Sequence, residues 1–281
     1  MGALWMLVAG ILFACMGVLV KFAAAHFSSN EIVFYRSFFG LLLVAVILIY
    51  KRAPLATPYW RVHLWRGLSG AVAMMLYFYC LTTLPLATAT TLNYTSSLFL
   101  IALTLIFYKD PFHLSITTSL ALGFFGVILL LHPTLEREQF LSGMFGLISG
   151  LLAAVALVNV RQLGKLGEPA IRVVFYFNLV ATIFSGIWIA PGGMHPVSPG
   201  DLALLLGIGT SATLAQIAMT HAYRTGHTLV VSTLSYSTIA FASLFGQIFW
   251  QETLSPIGLL GIALIIASGV LSLKLSPKHE E

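Results

Sequence analysis

The sequence predicts an all-α integral membrane protein in which ten transmembrane helices form two inverted five-helix repeats. Three observations carry this. Of 281 residues, 59% are hydrophobic and 8% charged, where soluble domains carry about 25% charged residues. Apolar stretches of about 20 residues, the length that crosses a hydrocarbon layer, recur along the whole chain. The second half also repeats, weakly but in order, the pattern of the first.

The predicted spans run near 2–25, 30–50, 63–82, 85–108, 112–131, 142–163, 169–190, 200–223, 227–250 and 254–274. The first has no Lys or Arg before it and exceeds the usual apolar core of a signal peptide, so it reads as a retained helix. Cys15 and Cys80 fall inside spans, where they pack as small apolar residues. The net charge of +5 reflects loop topology and does not point to a nucleic-acid partner. Lys51, Arg52, Arg61, Arg66, Lys109, Arg161, Lys165, Arg172, Arg224, Lys274 and Lys278 fall on one side of a ten-span topology, and Arg137 alone among loop residues on the other. That bias places both termini in the cytoplasm. All eleven prolines lie in loops or near span ends, which predicts continuous helices and a site made of side chains, not of unwound backbone. Gly143, Gly146 and Gly150 in span 6, and Gly258 and Gly261 in span 10, have the spacing of close helix contacts.

The repeat appears at a shift of about half the chain. Val33-Phe34-Tyr35 matches Val174-Phe175-Tyr176 at 141, and Leu92, Tyr94, Thr95 and Ser96 match Leu234, Tyr236, Ser237 and Thr238 at 142. Ile106 to Asp110 matches Ile248 to Glu252 at the same shift, and Gly126-Val127 matches Gly269-Val270 at 143. The units are expected over 1–135 and 140–276. Five spans is an odd number, so the second unit enters the membrane inverted, and two inverted halves facing each other are the structural basis of alternating access.

The chain also resembles the EamA group of the drug/metabolite transporter superfamily. The resemblance rests on Glu31-Ile32-Val33-Phe34-Tyr35-Arg36 opening span 2, Trp65-Arg66-Gly67 opening span 3, Leu84 to Thr90 between spans 3 and 4, and Asp110 and Glu252 after spans 4 and 9. Within the superfamily it is similar to the branch of S-adenosylmethionine carriers. The resemblance implies a metabolite carrier with a cavity lined by spans 1, 3, 4, 6, 8 and 9, with spans 5 and 10 at the periphery.

Polar side chains within spans mark a pathway, because they are costly in hydrocarbon. Thr90, Asn93, Ser97 and Thr104 share one face of span 4, and Thr213, Gln216 and Thr220 one face of span 8. Interhelical hydrogen bonding explains such stripes as readily as cavity lining does. Aromatics fall at repeat-related places: Tyr79 with His221, Tyr94 with Tyr236, and Tyr35 with Tyr176. His221 is readable as a structural histidine or as a proton carrier. Lys21 and Arg36 are the cations inside the first half; each either snorkels to the interface or meets a carboxylate, which for Arg36 is Glu31 or a substrate acid. Asn159 and Asn178 are uncharged polar candidates in the second half. The substrate-binding candidates are therefore Arg36, Lys21, Tyr79, Asn93, Tyr94, Asn159, Gln216, His221 and Tyr236.

No acid lies in the middle third of a span, and no nucleotide loop, metal-ligand spacing or Gly-x-Ser-x-Gly turn occurs. The expectation is a secondary carrier in the cytoplasmic membrane, monomer or homodimer, with no cofactor and no catalytic residue. Its expected substrate is a small zwitterionic or anionic metabolite, such as an amino acid or S-adenosylmethionine. An intramembrane protease or acyltransferase and a passive channel are the alternatives.

Overall fold

The computed structural model describes residues 2–52, 54–84, 89, 92–108, 114–131, 140–189, 193–250 and 255–275. Among them there is no strand. The helices are α1 (Gly2–Ala23), α2 (Ser29–Tyr50), α3 (Trp60–Thr83), α4 (Ser96–Tyr108), α5 (Leu114–Leu131), α6 (Phe140–Lys165), α7 (Ala170–Ile189), α8 (Pro199–Thr225), α9 (Thr228–Ser235), α10 (Ser237–Trp250) and α11 (Pro256–Leu275). Six described segments are long and apolar enough to cross a membrane: Gly2–Ala23, Ser29–Tyr50, Phe140–Lys165, Ala170–Ile189, Pro199–Thr225 and Thr228–Phe249. Thr117–Leu129 and Pro256–Leu271 are shorter apolar helices. Pro85 to Thr88, Thr90, Lys109, Asp110, Arg137, Glu252 and Lys278 lie outside the described residues.

Helix starts are written in the local sequence. Ser28 and Glu31 form a capping box at α2, the carboxylate accepting from the Ser28 backbone N–H at 2.9 Å, and Ser198 and Asp201 do the same at α8. Between α6 and α7 the chain turns at Gly167, whose φ of +80° needs no Cβ, and the Glu168 N–H bonds back to the Leu163 carbonyl at 3.0 Å. This is the Schellman closure of a helix end.

Packing couples the two halves of the chain. α1 lies along α8 and α10, α3 along α6 and α7, α2 along α7 and α8, α4 along α6, and α5 along α11. Small residues set the close approaches. A Cβ on Gly150 would meet the Leu92 carbonyl at 2.8 Å, and one on Gly126 would meet the Gly261 carbonyl at the same distance. Outward faces carry large apolar side chains such as Val46, Ile49, Ile187 and Ile266, the composition that lipid tails solvate.

The continuity expected of every helix fails in two places. Helical structure is interrupted at Thr95, before α4, and at Tyr236, between α9 and α10. At both, the ladder tightens to i→i−3 bonds: Thr95 N–H to Leu92 and Leu98 N–H to Thr95, then Tyr236 N–H to Thr233 and Ile239 N–H to Tyr236. No proline causes this. The local cause is hydroxyl density: Thr95 Oγ1 donates to the Leu92 carbonyl, Thr233 Oγ1 to Leu229 and Ser235 Oγ to Ser232. Side chains that bond back to the preceding turn bend helices. The two interruptions fall within one residue of repeat-related positions.

Candidate functional site

Two carboxylates pin the ends of the bundle. At one end, Glu31 in the first turn of α2 is 2% exposed, accepts from the His195 backbone N–H at 2.7 Å and faces His195 Nδ1 at 2.9 Å. Tyr35, one turn further, donates to Met194 Sδ at 3.8 Å. At the other end, Glu168 before α7 is 4% exposed. It accepts from Thr57 Oγ1 at 2.7 Å and from Arg172 Nη1 at 3.1 Å, and faces His63 Nε2 at 3.4 Å. Tyr176 donates to the Leu55 carbonyl at 2.9 Å and meets the His63 ring at a tilt, centroids 4.6 Å apart. In each case a Glu and a Tyr at the start of one long helix hold the segment entering a helix of the other half. We refer to these as the Met194 latch and the Leu55 latch. The sequence reading found neither; its signals were the Ser28-x-x-Glu31 box and the Gly167-Glu168 turn.

Between the latches lies a buried cationic cluster. Arg36 on α2 and Arg66 on α3 are 5% and 3% exposed, and both guanidinium carbons lie over the ring of Phe177 on α7, at 5.7 Å and 4.2 Å. Arg36 Nε and Nη1 and Arg66 Nε have no hydrogen-bond partner among the described residues, nor has Nδ2 of buried Asn178. Glu31, considered from sequence as a partner for Arg36, is engaged by Ser28 and His195 instead. Arg66, a loop-side charge by sequence, is as deeply buried as Arg36. Lys21, by contrast, is exposed in the last turn of α1.

The other candidates form separate groups. Tyr94 and Tyr236 meet, ring centroids 6.1 Å apart, at the two helix interruptions; Tyr236 is fully buried and its hydroxyl has no partner among the described residues. Asn93 Nδ2 donates to Ser149 Oγ at 3.0 Å, which donates to the Ala73 carbonyl at 2.9 Å, tying α3 and α6 to the segment before α4. Asn159 Nδ2 is bonded to Val155 of its own helix at 3.1 Å. Thr213, Gln216 and Thr220 form a buried stripe on α8, and Thr213 packs on Gly40 of α2. The side chain of Thr104 lies outside the described residues. Tyr79 meets Phe145 edge-on across α3 and α6 at 5.7 Å, and His221 meets Trp5 edge-on across α8 and α1 at 5.0 Å. These two contacts sit on repeat-related helix pairs.

Among the described residues, an all-helical bundle clad in apolar side chains, with polar groups buried between its helices and a buried carboxylate at each end, defines a multi-pass membrane protein. The chain belongs to the EamA-like transporter family, which matches residues 1–132 and 141–274. It is 29% identical to a pseudopaline exporter of Pseudomonas aeruginosa over 95% of this chain and 94% of that one. An uncharacterized transporter of Helicobacter pylori is also 29% identical, over 96% and 93% of the two chains. An S-adenosylmethionine uptake transporter of Rickettsia felis is 23% identical over 98% and 95%. A crystal structure 17% identical in sequence superposes with a TM-score of 0.82, covering 100% of this chain and 99% of that one. The protein is a membrane transporter, not an enzyme.

Proposed function

We propose that the protein is a secondary carrier of a small zwitterionic or anionic metabolite, working by alternating access between two inverted five-span units, 1–135 and 140–276, in ten spans. The observation that carries this is the exchange symmetry of the contacts. Swapping first-half spans for their second-half counterparts turns α1 on α8 into α6 on α3, and α2 on α8 into α7 on α3. It also turns α1 on α10 into α6 on α4, while α2 on α7 and α5 on α11 map onto themselves. The latches follow the exchange at Tyr35 and Tyr176, which match at a shift of 141, and are alike in kind at their acids: Glu31 faces His195 and Glu168 faces His63, each at a segment entering the other half, although Glu31 itself aligns with Arg172. Such a molecule closes both ends with equivalent parts and opens either by releasing one. The relatives' names, an exporter and an uptake transporter, support cargo in the class of small organic molecules.

The Leu55 latch sits at the cytoplasmic end in this reading, because Lys51, Arg52, Arg61, Lys165 and Arg172 cluster there. Both termini are cytoplasmic, the membrane is the inner one, and the working unit is a monomer or homodimer. Arg36 is the residue that meets the substrate's acid; exposed Lys21 serves the rim. The test is flux into proteoliposomes, without ATP, against a panel of amino acids, nucleosides and S-adenosylmethionine. Saturable flux that exchanges label across the membrane is expected, and Arg36→Lys should weaken it almost as much as Arg36→Ala, because an ammonium cannot grip a carboxylate bidentately. Flux that never saturates indicates a channel and sinks the reading. Impermeant maleimide applied outside cells should label Gly193→Cys and miss Ala56→Cys; the reverse pattern overturns the orientation.

A further inference from the structure

We infer that Arg36 and Arg66 form one anion site, closed over the ring of Phe177, for a substrate carrying two acidic groups; this rests on the carrier reading and narrows its substrate class. The first ground is direction. Arg36 and Arg66 are the eighth and seventh residues of their helices, and α2 and α3 start at opposite ends of the bundle. Long cationic side chains near span ends normally run outward to the interface, and helical side chains lean toward their own N-terminus, which here is the nearer surface. Both arginines go the other way. The Arg66 guanidinium lies over Gly70, one turn deeper, where a Cβ would collide with Nη1. Arg36 reaches Phe177, whose neighbour Asn178 packs against Gly40, one turn deeper along α2.

The second ground is charge and valence. Two like charges converge on one ring, and among the described residues no carboxylate is paired with either; Glu31 and Glu168 are spent in the latches. The ring's negative face attracts the guanidiniums without neutralising them. The orphaned nitrogens, Arg36 Nε and Nη1, Arg66 Nε and Asn178 Nδ2, are all donors. What the cluster lacks is a negative acceptor, and one monoanion would leave the second buried cation uncompensated. Two carboxylates, one on each guanidinium, satisfy both charges through the geometry that Arg binds most strongly.

The test uses the detergent-purified full chain with sodium malonate, a two-acid probe, against sodium acetate at equal ionic strength. Malonate should raise the melting temperature of the wild type in a saturable way, and acetate should not. Arg66→Met should melt no lower than wild type without malonate, since it removes an uncompensated charge. It should also lose the malonate response, and the apparent affinity for a transported substrate should fall about 10- to 100-fold. Arg66→Lys, which keeps the charge without the bidentate grip, should restore only a small part of the response. A purely structural Arg66 gives the opposite: Arg66→Met melts several degrees lower and any malonate response survives. That result, or a wild type indifferent to malonate, overturns the inference. Saturable flux with Arg66→Met unaffected overturns it while leaving the carrier reading intact, and absent flux with a malonate response does the converse.

Discussion

Replacing Glu168 by Gln removes the charge of the Leu55 latch and keeps its size. The carboxylate accepts from Thr57 Oγ1 at 2.7 Å and from Arg172 Nη1 at 3.1 Å on both oxygens. At 4% exposure it is little screened by water. Arg172 is four residues from Glu168 and stays with it, so the bond that crosses the latch is the one from Thr57. Hydrogen bonds involving an ion contribute about 1.5–3 kcal/mol and neutral ones about 0.5–1.5, so neutralising that acceptor costs about 1 kcal/mol. If the latch exists only when that end is closed, the substitution shifts the equilibrium toward opening there by about 5-fold, at 1.4 kcal/mol per factor of ten. The assay is maleimide labelling of single cysteines, with Cys15 and Cys80 replaced by Ala. Probes go at buried Ser69 on α3, past the Leu55 latch, and at buried Ser37 on α2, past the Met194 latch. Glu168→Gln should speed labelling at position 69 and slow it at position 37; Glu31→Gln should do the reverse. Equal acceleration at both positions would mean that the substitution merely loosens the bundle, and the reasoning about mirrored latches would be refuted.

Two further outcomes follow from the packing. Tyr236→Phe removes a buried hydroxyl that has no partner among the described residues; relief of about 1–3 kcal/mol should raise the melting temperature, and a simultaneous fall in flux would assign the hydroxyl to substrate. Gly126→Val puts a Cβ 2.8 Å from the Gly261 carbonyl and 3.0 Å from Leu264 Cβ, which should cost about 1–3 kcal/mol of stability while flux per folded molecule, measured in proteoliposomes, stays near wild type.

The helical membrane architecture was legible because hydropathy is a local property: about twenty apolar residues need no partner to declare themselves. The latches were not legible, because Glu31 meets His195 and Glu168 meets His63 across 164 and 105 residues of sequence, and charge near a span end has an easier explanation in topology. Arg66 was hidden by that same explanation. The clue was Gly70, four residues on, which makes room for a side chain leaning the unusual way. The helix interruptions at Thr95 and Tyr236 carry no proline, the usual marker of a broken helix; Thr95, Thr233 and Ser235 bond back to the preceding turn with hydroxyls instead. Asn159 shows a limit of reading polarity in a span: one of its amide hydrogens is taken up by its own helix, at the Val155 carbonyl.

Those interruptions bear on how the molecule could move. A straight helix crossing a membrane is a rod, and displacing one end displaces the other. A helix jointed near its middle transmits bending at one end without disturbing packing at the other. Hydroxyls soften that joint, because a Ser or Thr bonded to the preceding turn competes with the backbone for the same carbonyl. With Tyr94 and Tyr236 in contact where the joints meet, the two elbows share a fulcrum, so flexing of one is felt first by the other.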